Sequence, residues 1–446
     1  MKKLLFALAL LASMMISLSA CDKLNKENTE DGSGIINNGQ LDDYSSLTPG
    51  EHKARLEEIA IEFIGYFDAA DTEELVDGAL SLSEYMEDFD YYGDESYRFD
   101  AKLLAQGAKR FSAQALAEFA TRAAESFVID VNDPDLNPFA GKCFTYEGYE
   151  WSVTDGSDKT IQFVWDDCVA TISWTKSTKL EYYYSDDDIN YVVYVPNNIE
   201  LTVEINGKRH LNVELATNIS NIKTWAPQVT ISLNGGYEMV SKVEGNSKGL
   251  TAQSTLKKDG KTLYSAVSTV AINDATDIDN WMEEYYNEYY DEYGTYISEE
   301  YFLENVKTGA AQIDILSLSI LAEGDFKGMY EEIESIDDRY DSYDDDYNYI
   351  SENAKKECEA ICKYVNDKVQ VVLVYNDTKE IVADVVMSVA RDYDSYDDDY
   401  YYYVEPILLF PDESKYAFED YFTERAFGDL IRKVEELAED FANLVY

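Results

Sequence analysis

Residues 199–215 read IELTVEINGKRHLNVEL and decide the fold around them. Apolar residues occupy alternate positions on both sides of Asn206-Gly207, which is the period of a β-strand with one buried face. A two-residue loop would set Leu201 opposite Asn212, whereas a loop longer by one residue sets Leu201 opposite Val213. Because burial on one face favours apolar pairs, the pattern predicts a hairpin with a three-residue loop or a bulge.

Strand-like runs of this kind extend from Cys143 to Ile272 and are separated by turn signals that contain glycine. Runs with helical spacing lie on both sides of them. We therefore predict an α+β fold, a long curved antiparallel β-meander packed against helices from the N-terminal section, a central insert and the C-terminus. The expected divisions are a signal peptide at 1–20, a lipidated flexible tether at 21–47 and a single body at 48–446. The body is expected to comprise a helical section at 48–138, an antiparallel sheet at 139–275, a helical insert at 276–367, further strands at 368–412 and a C-terminal helix at 413–446.

Local signals refine this outline. Thr48-Pro49-Gly50-Glu51 has the residues of a capping box, so the first helix is expected to begin there. Ala310 to Leu321 has apolar residues at helical spacing, which predicts a buried helix. Val369 to Tyr375 predicts a strand, and Asn376-Asp377 a turn after it. Further helices are expected at 100–128 and 351–366, and further strands at 380–389 and 401–410.

The first 21 residues pass from charged to apolar to small side chains and end in a cysteine. Lys2 and Lys3 precede an apolar run from Leu4 to Leu18, and the sequence Leu18-Ser19-Ala20-Cys21 closes it. The run of about 15 residues is shorter than the ~20 that a membrane-spanning helix needs. The pattern resembles a bacterial lipoprotein signal, which implies cleavage before Cys21 and lipidation of that cysteine. The alternatives are an ordinary secretory signal with an incidental cysteine, or a signal anchor.

Several features together resemble uncharacterised lipoproteins of Bacteroidetes type. They are the lipobox, the polar tether, the strand–Asn-Gly–strand unit, and the segments Leu409-Phe410-Pro411-Asp412-Glu413-Ser414-Lys415 and Glu419-Asp420-Tyr421-Phe422. The resemblance implies an address at the outer membrane, on its periplasmic or its cell-surface side. It implies no activity.

The chain is strongly acidic. It has 36 Lys+Arg against 89 Asp+Glu, a net charge of −53, and removal of Lys2 and Lys3 with the signal leaves 34 against 89, a net charge of −55. Such a charge opposes binding to nucleic acid and to anionic membrane surfaces, so the lipid is the only expected contact with the membrane. It favours cations, cationic protein partners or neutral glycans. The alternative is that the charge only keeps the protein soluble.

Five cysteines include Cys21. Cys143 and Cys168 lie nearly equidistant from a turn-like Asp155-Gly156-Ser157-Asp158, and a hairpin centred there would bring them together. They are therefore candidates for a disulfide in an exported protein. A register slip by one residue would instead send their side chains to opposite faces, so both alternatives stay open. Cys358 and Cys362 are spaced i, i+4 on a predicted helix and are expected to be buried thiols.

One eight-residue sequence occurs twice, Tyr-Asp-Ser-Tyr-Asp-Asp-Asp-Tyr, at 340–347 and at 393–400, and a shorter relative lies near 186. These acidic runs are the candidate ligand sites. They comprise Asp186, Asp187 and Asp188, then Asp344, Asp345 and Asp346, then Tyr396, Asp397, Asp398, Asp399 and Tyr400. The runs near 186 and 397 are expected at hairpin turns.

Runs of aspartate offer the hard oxygen ligands that Ca²⁺ prefers. The spacing is not that of an EF-hand, so weak Ca²⁺ association is the functional hypothesis and a solvated charged loop is the alternative. No resident cofactor is expected. Tyrosine interleaved with aspartate is also typical of binding loops, because tyrosine provides a large amphipathic surface at low entropic cost. A glycan or a cationic protein is the expected partner.

Catalytic motifs are absent from the sequence. The histidines are His52 and His210, and both are expected at the surface. No nucleophile elbow, zinc-protease motif or phosphate-binding glycine loop occurs. The leading hypothesis is therefore a non-enzymatic binding protein of the cell envelope that uses its acidic Tyr/Asp-rich loops. The alternatives are a carrier of an apolar ligand in a half-barrel-like sheet, and a glycan-directed hydrolase.

Overall fold

The structure is a computed structural model. It describes residues 41, 43–86, 104, 139–175, 177–184, 189–216, 218–221, 224–246, 248–272, 306–340, 342, 349–394, 399–421 and 427–443. Its helices are α1 (Pro49–Ile64), α2 (Glu73–Tyr85), α3 (Met329–Tyr340), α4 (Ser351–Lys368), α5 (Phe418–Tyr421) and α6 (Gly428–Asn443). Short 3₁₀ turns cover Ala69–Asp71 and Asn234–Gly236.

Strands dominate the described part of the chain. The first ten are β1 (Lys142–Glu147), β2 (Glu150–Asp155), β3 (Thr160–Trp165), β4 (Cys168–Trp174), β5 (Ser177–Tyr184), β6 (Ile189–Pro196), β7 (Asn198–Ile205), β8 (Lys208–Ala216), β9 (Ile219–Asn221) and β10 (Thr224–Trp225). The next ten are β11 (Gln228–Leu233), β12 (Tyr237–Asn246), β13 (Gly249–Lys258), β14 (Lys261–Ile272), β15 (Val306–Ile315), β16 (Leu318–Asp325), β17 (Val369–Tyr375), β18 (Ile381–Asp394), β19 (Asp399–Leu409) and β20 (Lys415–Ala417).

The chain divides into two compact units. The first unit comprises the described residues within Met1–Ile61, Glu244–Ser254 and Tyr264–Ile431, and the second those within Glu62–Val243, Thr255–Leu263 and Arg432–Tyr446. Each unit is described below by itself.

An α+β fold with a β-meander is confirmed. In the first unit β14 to β18 pair in sequence order and β19 and β20 follow, all antiparallel. In the second unit β3, β4, β7, β8, β11 and β12 pair antiparallel in that order. The sheet is mixed, however, because β1 pairs with β3 in parallel. β5 and β6 pair with each other in a separate sheet.

The hairpin at 199–215 is confirmed in its predicted register. Val203 faces Leu211, and Leu201 faces Val213. The register shifts between Val203 and Glu204, which is the predicted bulge. Asn206 and Gly207 turn the chain with φ of 51° and 72°, the left-handed region that asparagine and glycine tolerate best. The turn therefore keeps the apolar residues of β7 and β8 on one face.

The core of the second unit lies between α2 and that face. Leu75, Val76, Ala79 and Leu82 of α2 are buried there against aromatic and aliphatic side chains of β1, β3, β4, β7, β8, β11 and β12. The indole of Trp165 donates to the carbonyl oxygen of Gly78 at 3.1 Å. This bond gives the deeply buried tryptophan the polar partner that its N–H requires.

The first unit has two larger cores. Leu56 and Ile59 of α1 pack on Leu373 and Tyr375 of β17, together with aromatic residues near the end of the unit. A second core, the α3–α4 core, is formed by α3 and α4 packed on β18 and β19. Its buried residues are Ile336, Cys358, Ile361, Cys362, Val365, Met387 and Val404.

The capping box of α1 is confirmed. The N–H and the hydroxyl of Thr48 both donate to Glu51 Oε2, at 2.8 and 2.7 Å. The Glu51 N–H in turn donates to Thr48 Oγ1 at 3.4 Å. The two donated bonds favour the carboxylate, so the pKa of Glu51 lies below its ordinary value. The helix begins at Pro49, as the sequence pattern predicts.

The buried helix expected over Ala310 to Leu321 is wrong. Those residues belong to β15 and β16, which form an antiparallel hairpin with its turn at Leu316-Ser317. The helical insert expected at 276–367 therefore includes a strand pair. The helix predicted at 351–366 is confirmed as α4. The strands predicted at 369–375, 380–389 and 401–410 are confirmed as β17, β18 and β19. The helices expected near 100–128 and after 279 lie outside the described residues, except for Leu104, which is helical and buried.

Both boundaries of the body also differ from the expectation. Residues of the expected tether already contact the first unit, since Ser45 N–H donates to the Ile381 carbonyl at 2.8 Å and Leu41 packs on Val372 and Val374. Tyr44 forms a parallel bridge with Ile381. At the other end, β20 and α5 precede α6, so the segment 413–446 is not one helix.

The predicted disulfide between Cys143 and Cys168 is absent, and both cysteines are free thiols. The prediction assumed one hairpin, but the chain makes two, with turns at Gly148-Tyr149 and Asp166-Asp167. Cys143 therefore lies beside Thr154 and Gln162, and Cys168 beside Trp165 and Ile205. Cys358 and Cys362 are free and buried, as expected.

Candidate functional site

Most of the predicted site residues lie outside the described residues. These are Cys21, Asp186, Asp187, Asp188, Asp344, Asp345, Asp346, Tyr396, Asp397 and Asp398. Asp399 and Tyr400 are placed at the start of β19. β5 and β6 pair up to Tyr184 opposite Ile189, and β18 and β19 up to Asp394 opposite Asp399, so two acidic runs link hairpin strands as predicted.

The described residues around the two exact repeats make two sets of aromatic contacts in the first unit. Arg391, Tyr393 and Tyr400 form one set, which we call the tyrosine surface. Tyr349 and Tyr401 form the other set. Because Tyr400 and Tyr401 are successive residues of β19, the two sets lie on opposite faces of the β18–β19 hairpin. Tyr349 follows the first repeat by two residues, and Tyr393 and Tyr400 begin and end the second repeat.

The register of the β18–β19 hairpin builds this surface. Tyr393 lies opposite Tyr400, and their rings meet edge to face with centroids 5.4 Å apart. Arg391 is two residues from Tyr393 and so lies on the same face of the strand. Its guanidinium stands 4.5 Å from the centroid of Tyr400, within cation–π distance. The side chains of Tyr393 and Tyr400 are 55% and 39% exposed.

Tyr349 contacts the other face of the hairpin. Its ring stacks on Tyr401 at 4.4 Å with an interplanar angle of 22°. Its hydroxyl oxygen accepts the backbone N–H of Tyr402 at 2.9 Å. These contacts hold Tyr349, just before α4, against β19, although about 50 residues separate the two in sequence. Tyr340 and Tyr402 pack on the α3–α4 core beneath it.

An acidic group lies near the base of the segment that joins α3 to α4. Glu357 of α4 is half-buried and accepts a hydrogen bond from the Ser342 hydroxyl. Burial raises the pKa of Glu357, and the neighbouring Asp337 raises it further, while the Ser342 bond opposes the rise. The Ile350 N–H donates to the Ser342 carbonyl at 2.9 Å and closes this segment.

The tyrosine surface has the chemistry of a contact surface. Exposed tyrosine rings have apolar faces, hydroxyl groups at their edges and affinity for cations. Within the described ranges no group of three or more His, Cys, Asp or Glu side chains is placed to hold a metal ion. Among those same residues, no helix has the length and apolar character to cross a membrane.

The prediction that both histidines lie at the surface is wrong. His52 is fully buried, with Nδ1 2.9 Å from the Tyr375 hydroxyl and its ring stacked on Phe410. His210 is 2% exposed, and its Nε2 lies 3.1 Å from Glu74 Oε2. Each histidine is therefore part of a packed interface between a helix and a sheet.

Sequence reasoning missed Tyr349 and Arg391 as members of the site. Both lie just outside a repeat, at positions that the repeat itself does not mark. The only available signal was proximity to the repeat, since the ring stacking depends on how α3 and α4 fold against β19.

Comparison with known proteins adds no relative. No protein-family model matches the chain, and neither the curated proteins nor the solved structures contain a similar one by sequence or fold.

Proposed function

We propose that this chain is a lipid-anchored binding protein of the cell envelope, without catalytic activity of its own, whose tyrosine surface contacts a cationic polypeptide. The observation that carries the proposal is the pair of exposed rings at the two ends of the second repeat. Tyr393 and Tyr400 meet edge to face and are 55% and 39% exposed.

Charge supports a cationic partner. The mature chain has a net charge of −55, and the acidic run 397–399 lies between Tyr393 and Tyr400 in sequence. Complementary charge accelerates the encounter of two proteins and suppresses wrong partners. Tyrosine rings then provide contact area and cation–π attraction for lysine and arginine side chains. A neutral glycan remains the alternative partner, because sugars also stack on tyrosine.

The other two hypotheses receive less support. A carrier needs an apolar pocket without charged groups, whereas the groove that we describe below has four carboxylates and a lysine in its lining. A glycan-directed hydrolase needs a pair of carboxylates around a substrate. Glu357 has a raised pKa, but it accepts its hydrogen bond within a packed helix pair rather than in a cleft.

The binding proposal is tested with a fluorescent lysine–glycine peptide and the double variant Tyr393→Ala/Tyr400→Ala. Two exposed cation–π contacts of about 0.5–1 kcal/mol each predict a roughly five- to thirtyfold weaker affinity by fluorescence anisotropy. Tyr149→Ala is the matched control, since Tyr149 is 87% exposed but belongs to the second unit. The wild-type affinity is also expected to fall as salt is added.

Equal affinity of the double variant and the wild type would contradict the proposal, as would failure of the wild type to bind the peptide. Binding of neutral oligosaccharides with no dependence on salt, lost in the same double variant, would assign the surface to a glycan instead.

The anchor is tested separately. The Cys21→Ser variant is expected to lose incorporation of labelled palmitate and to leave the membrane fraction, because the lipobox cysteine is the proposed acceptor. Retention of the label by the variant would show that the segment ending at Cys21 is not a lipoprotein signal.

A further inference from the structure

A second candidate site lies in the first unit, away from the tyrosine surface. A groove of 450 Å³ runs over β15 to β18 near the end of α4. Its volume falls in the range of roughly 300–1,000 Å³ that small-ligand sites occupy. Polar side chains line it, chiefly Thr308, Glu323, Asp325, Lys368, Gln370 and Asp384.

The strand register explains why these side chains share one face. Thr308 lies opposite Asp325, Glu323 opposite Gln370, and Val372 opposite Asp384. Residues of β17 alternate between faces, so this face carries Val372 and Val374, while Leu373 and Tyr375 point to the core under α1. The groove thus occupies the sheet face opposite α1.

The carboxylates of the groove already have donors. Lys368 Nζ lies 3.0 Å from Asp325 Oδ2, which holds the pKa of Asp325 below its ordinary value. The hydroxyl of Tyr44 donates to Asp384 Oδ2 at 2.6 Å. Asp367 is paired with Lys363. The groove therefore offers lone pairs and polar hydrogens held in place by these contacts, and the carboxylates of its lining outnumber its one lysine.

An exposed aromatic ring adjoins the groove. Tyr44 is 43% exposed, and its hydrogen bond to Asp384 fixes the ring beside the lining. The backbone of the same segment is held by Ser45 and Asp43, which bond to both polar groups of Ile381 at 2.8 and 3.3 Å. Leu41 packs on Leu321, Val372 and Val374 at its base. The ring is thus held in place before any ligand arrives.

We propose that this groove binds one or two residues of a neutral glycan, with the Tyr44 ring as the stacking platform. Sugar hydroxyls both donate and accept hydrogen bonds, and the groove supplies both kinds of partner in Thr308, Lys368, Gln370 and the carboxylates. An anionic ligand is disfavoured by the excess of carboxylates, and an apolar one by the cost of desolvating the charged side chains of the lining. A pre-positioned ring lowers the entropic cost of binding.

The test uses the full mature chain, carrying Cys21→Ser for solubility, on a printed array of neutral, acidic and amino oligosaccharides. At least one class of neutral glycan is expected to bind. Tyr44→Ala and Gln370→Ala are each expected to weaken that binding at least tenfold in solution titrations. Tyr44→Phe keeps the ring but not the Asp384 bond and is expected to retain most of the affinity. This variant separates the loss of the aromatic ring from the loss of its hydrogen bond to Asp384.

Several results would overturn the proposal. They are no neutral glycan bound by the wild type, binding confined to amino sugars or acidic glycans, or neutral-glycan binding that Tyr44→Ala and Gln370→Ala leave unchanged. The double variant Tyr393→Ala/Tyr400→Ala is expected to bind the array like the wild type. Equal binding by this variant and the wild type would show that glycan binding in the groove does not depend on the tyrosine surface.

Discussion

His52 is fully buried in the core of the first unit between Tyr375 and Phe410. One ring nitrogen lies 2.9 Å from the Tyr375 hydroxyl, but Nε2 has no hydrogen-bond partner. Arg55 stacks on the same Tyr375 ring at 3.7 Å and pairs with Asp377 at 2.7 Å. Burial and the nearby Arg55 charge together lower the pKa of His52, so the ring is neutral in the folded protein.

The lowered pKa predicts a loss of stability in mild acid. The unfolded chain binds a proton at His52 near the ordinary pKa of about 6.5, whereas the folded chain does so only at lower pH. Stability is therefore complete above about pH 6.5 and falls as the pH drops below it. We expect the midpoint of thermal unfolding to fall less between about pH 7.5 and about pH 5.5 in His52→Phe than in the wild type. If calorimetry showed the midpoint to fall equally in the variant and the wild type, the loss of stability in acid could not be assigned to His52.

The cysteines are expected to differ sharply in reactivity. Burial raises the pKa of Cys168 and Cys358 to about 11 and that of Cys362 to about 12, and neighbouring acidic groups raise them further. Because the thiolate is the reactive form, a disulfide reagent at about pH 8 should label the half-exposed Cys143 first. Stopped-flow labelling of Cys21→Ser should then show one fast thiol in the native state and four after unfolding. Two missing thiols after unfolding would instead indicate a disulfide.

The turn between β11 and β12 depends on two glycines. Gly235 and Gly236 have φ of 78° and 83°. A Cβ on Gly235 would lie 2.6 Å from Asp71 Oδ1, and one on Gly236 would overlap the carboxylate of Asp259. Asp71 is itself bonded to Lys258 at 2.6 Å, so it cannot move away without losing that partner. The turn thus requires glycine for space as well as for backbone conformation.

Gly207→Ala provides the matched control for Gly235→Ala. Gly207 also has positive φ, but nothing lies within 4 Å of its Cβ position. Gly207→Ala is therefore expected to cost about 1–2 kcal/mol from backbone strain alone. Gly235→Ala should cost a further ~1–3 kcal/mol from overpacking, measured by urea unfolding. Addition of Asp71→Ala should recover part of that further cost. Equal costs of the two glycine variants would exclude the overlap.

Elements with strictly local causes were predictable from the sequence. The register of β7 and β8 follows from alternation and a turn, and the start of α1 follows from Thr48 and Glu51. The helix predicted over Ala310 to Leu321 was wrong because neighbouring residues of β15 and β16 are buried or half-buried on both faces. Burial on both faces removes the alternation that marks a strand. The turn at Leu316 also has no glycine, asparagine or proline at its first position.

The candidate site was predictable only in part. The repeats indicated where tyrosine and aspartate concentrate, and two of the runs link hairpin strands as expected. The stacking of Tyr349 on Tyr401 was not predictable, since it depends on contacts between residues far apart in sequence. The same limit applies to His52, which Tyr375 and Phe410 bury from distant strands.

At the scale of the whole molecule, the net charge of −53 is expected to destabilise the folded state through self-repulsion. Salt screens such repulsion, so the midpoint of thermal unfolding should rise between about 20 mM and about 500 mM NaCl. A gain of about 1 kcal/mol corresponds to roughly 2–4 °C for a folding unit of about 150–250 residues. Calorimetry across this range checks the expectation. A falling midpoint would show that the attractive ion pairs outweigh the repulsion.

The strap at residues 41–45 determines how the protein bears mechanical load. Any pull on the segment before Leu41 reaches the two backbone bonds to Ile381 and the Tyr44–Asp384 bond before it reaches α1. Rupture of these few bonds would free residues 41–47, which can extend by roughly 3.3–3.6 Å each, or about 25 Å together. Under such a pull we therefore expect the strap to release first and to lengthen the chain before α1 while the two cores of the first unit stay folded.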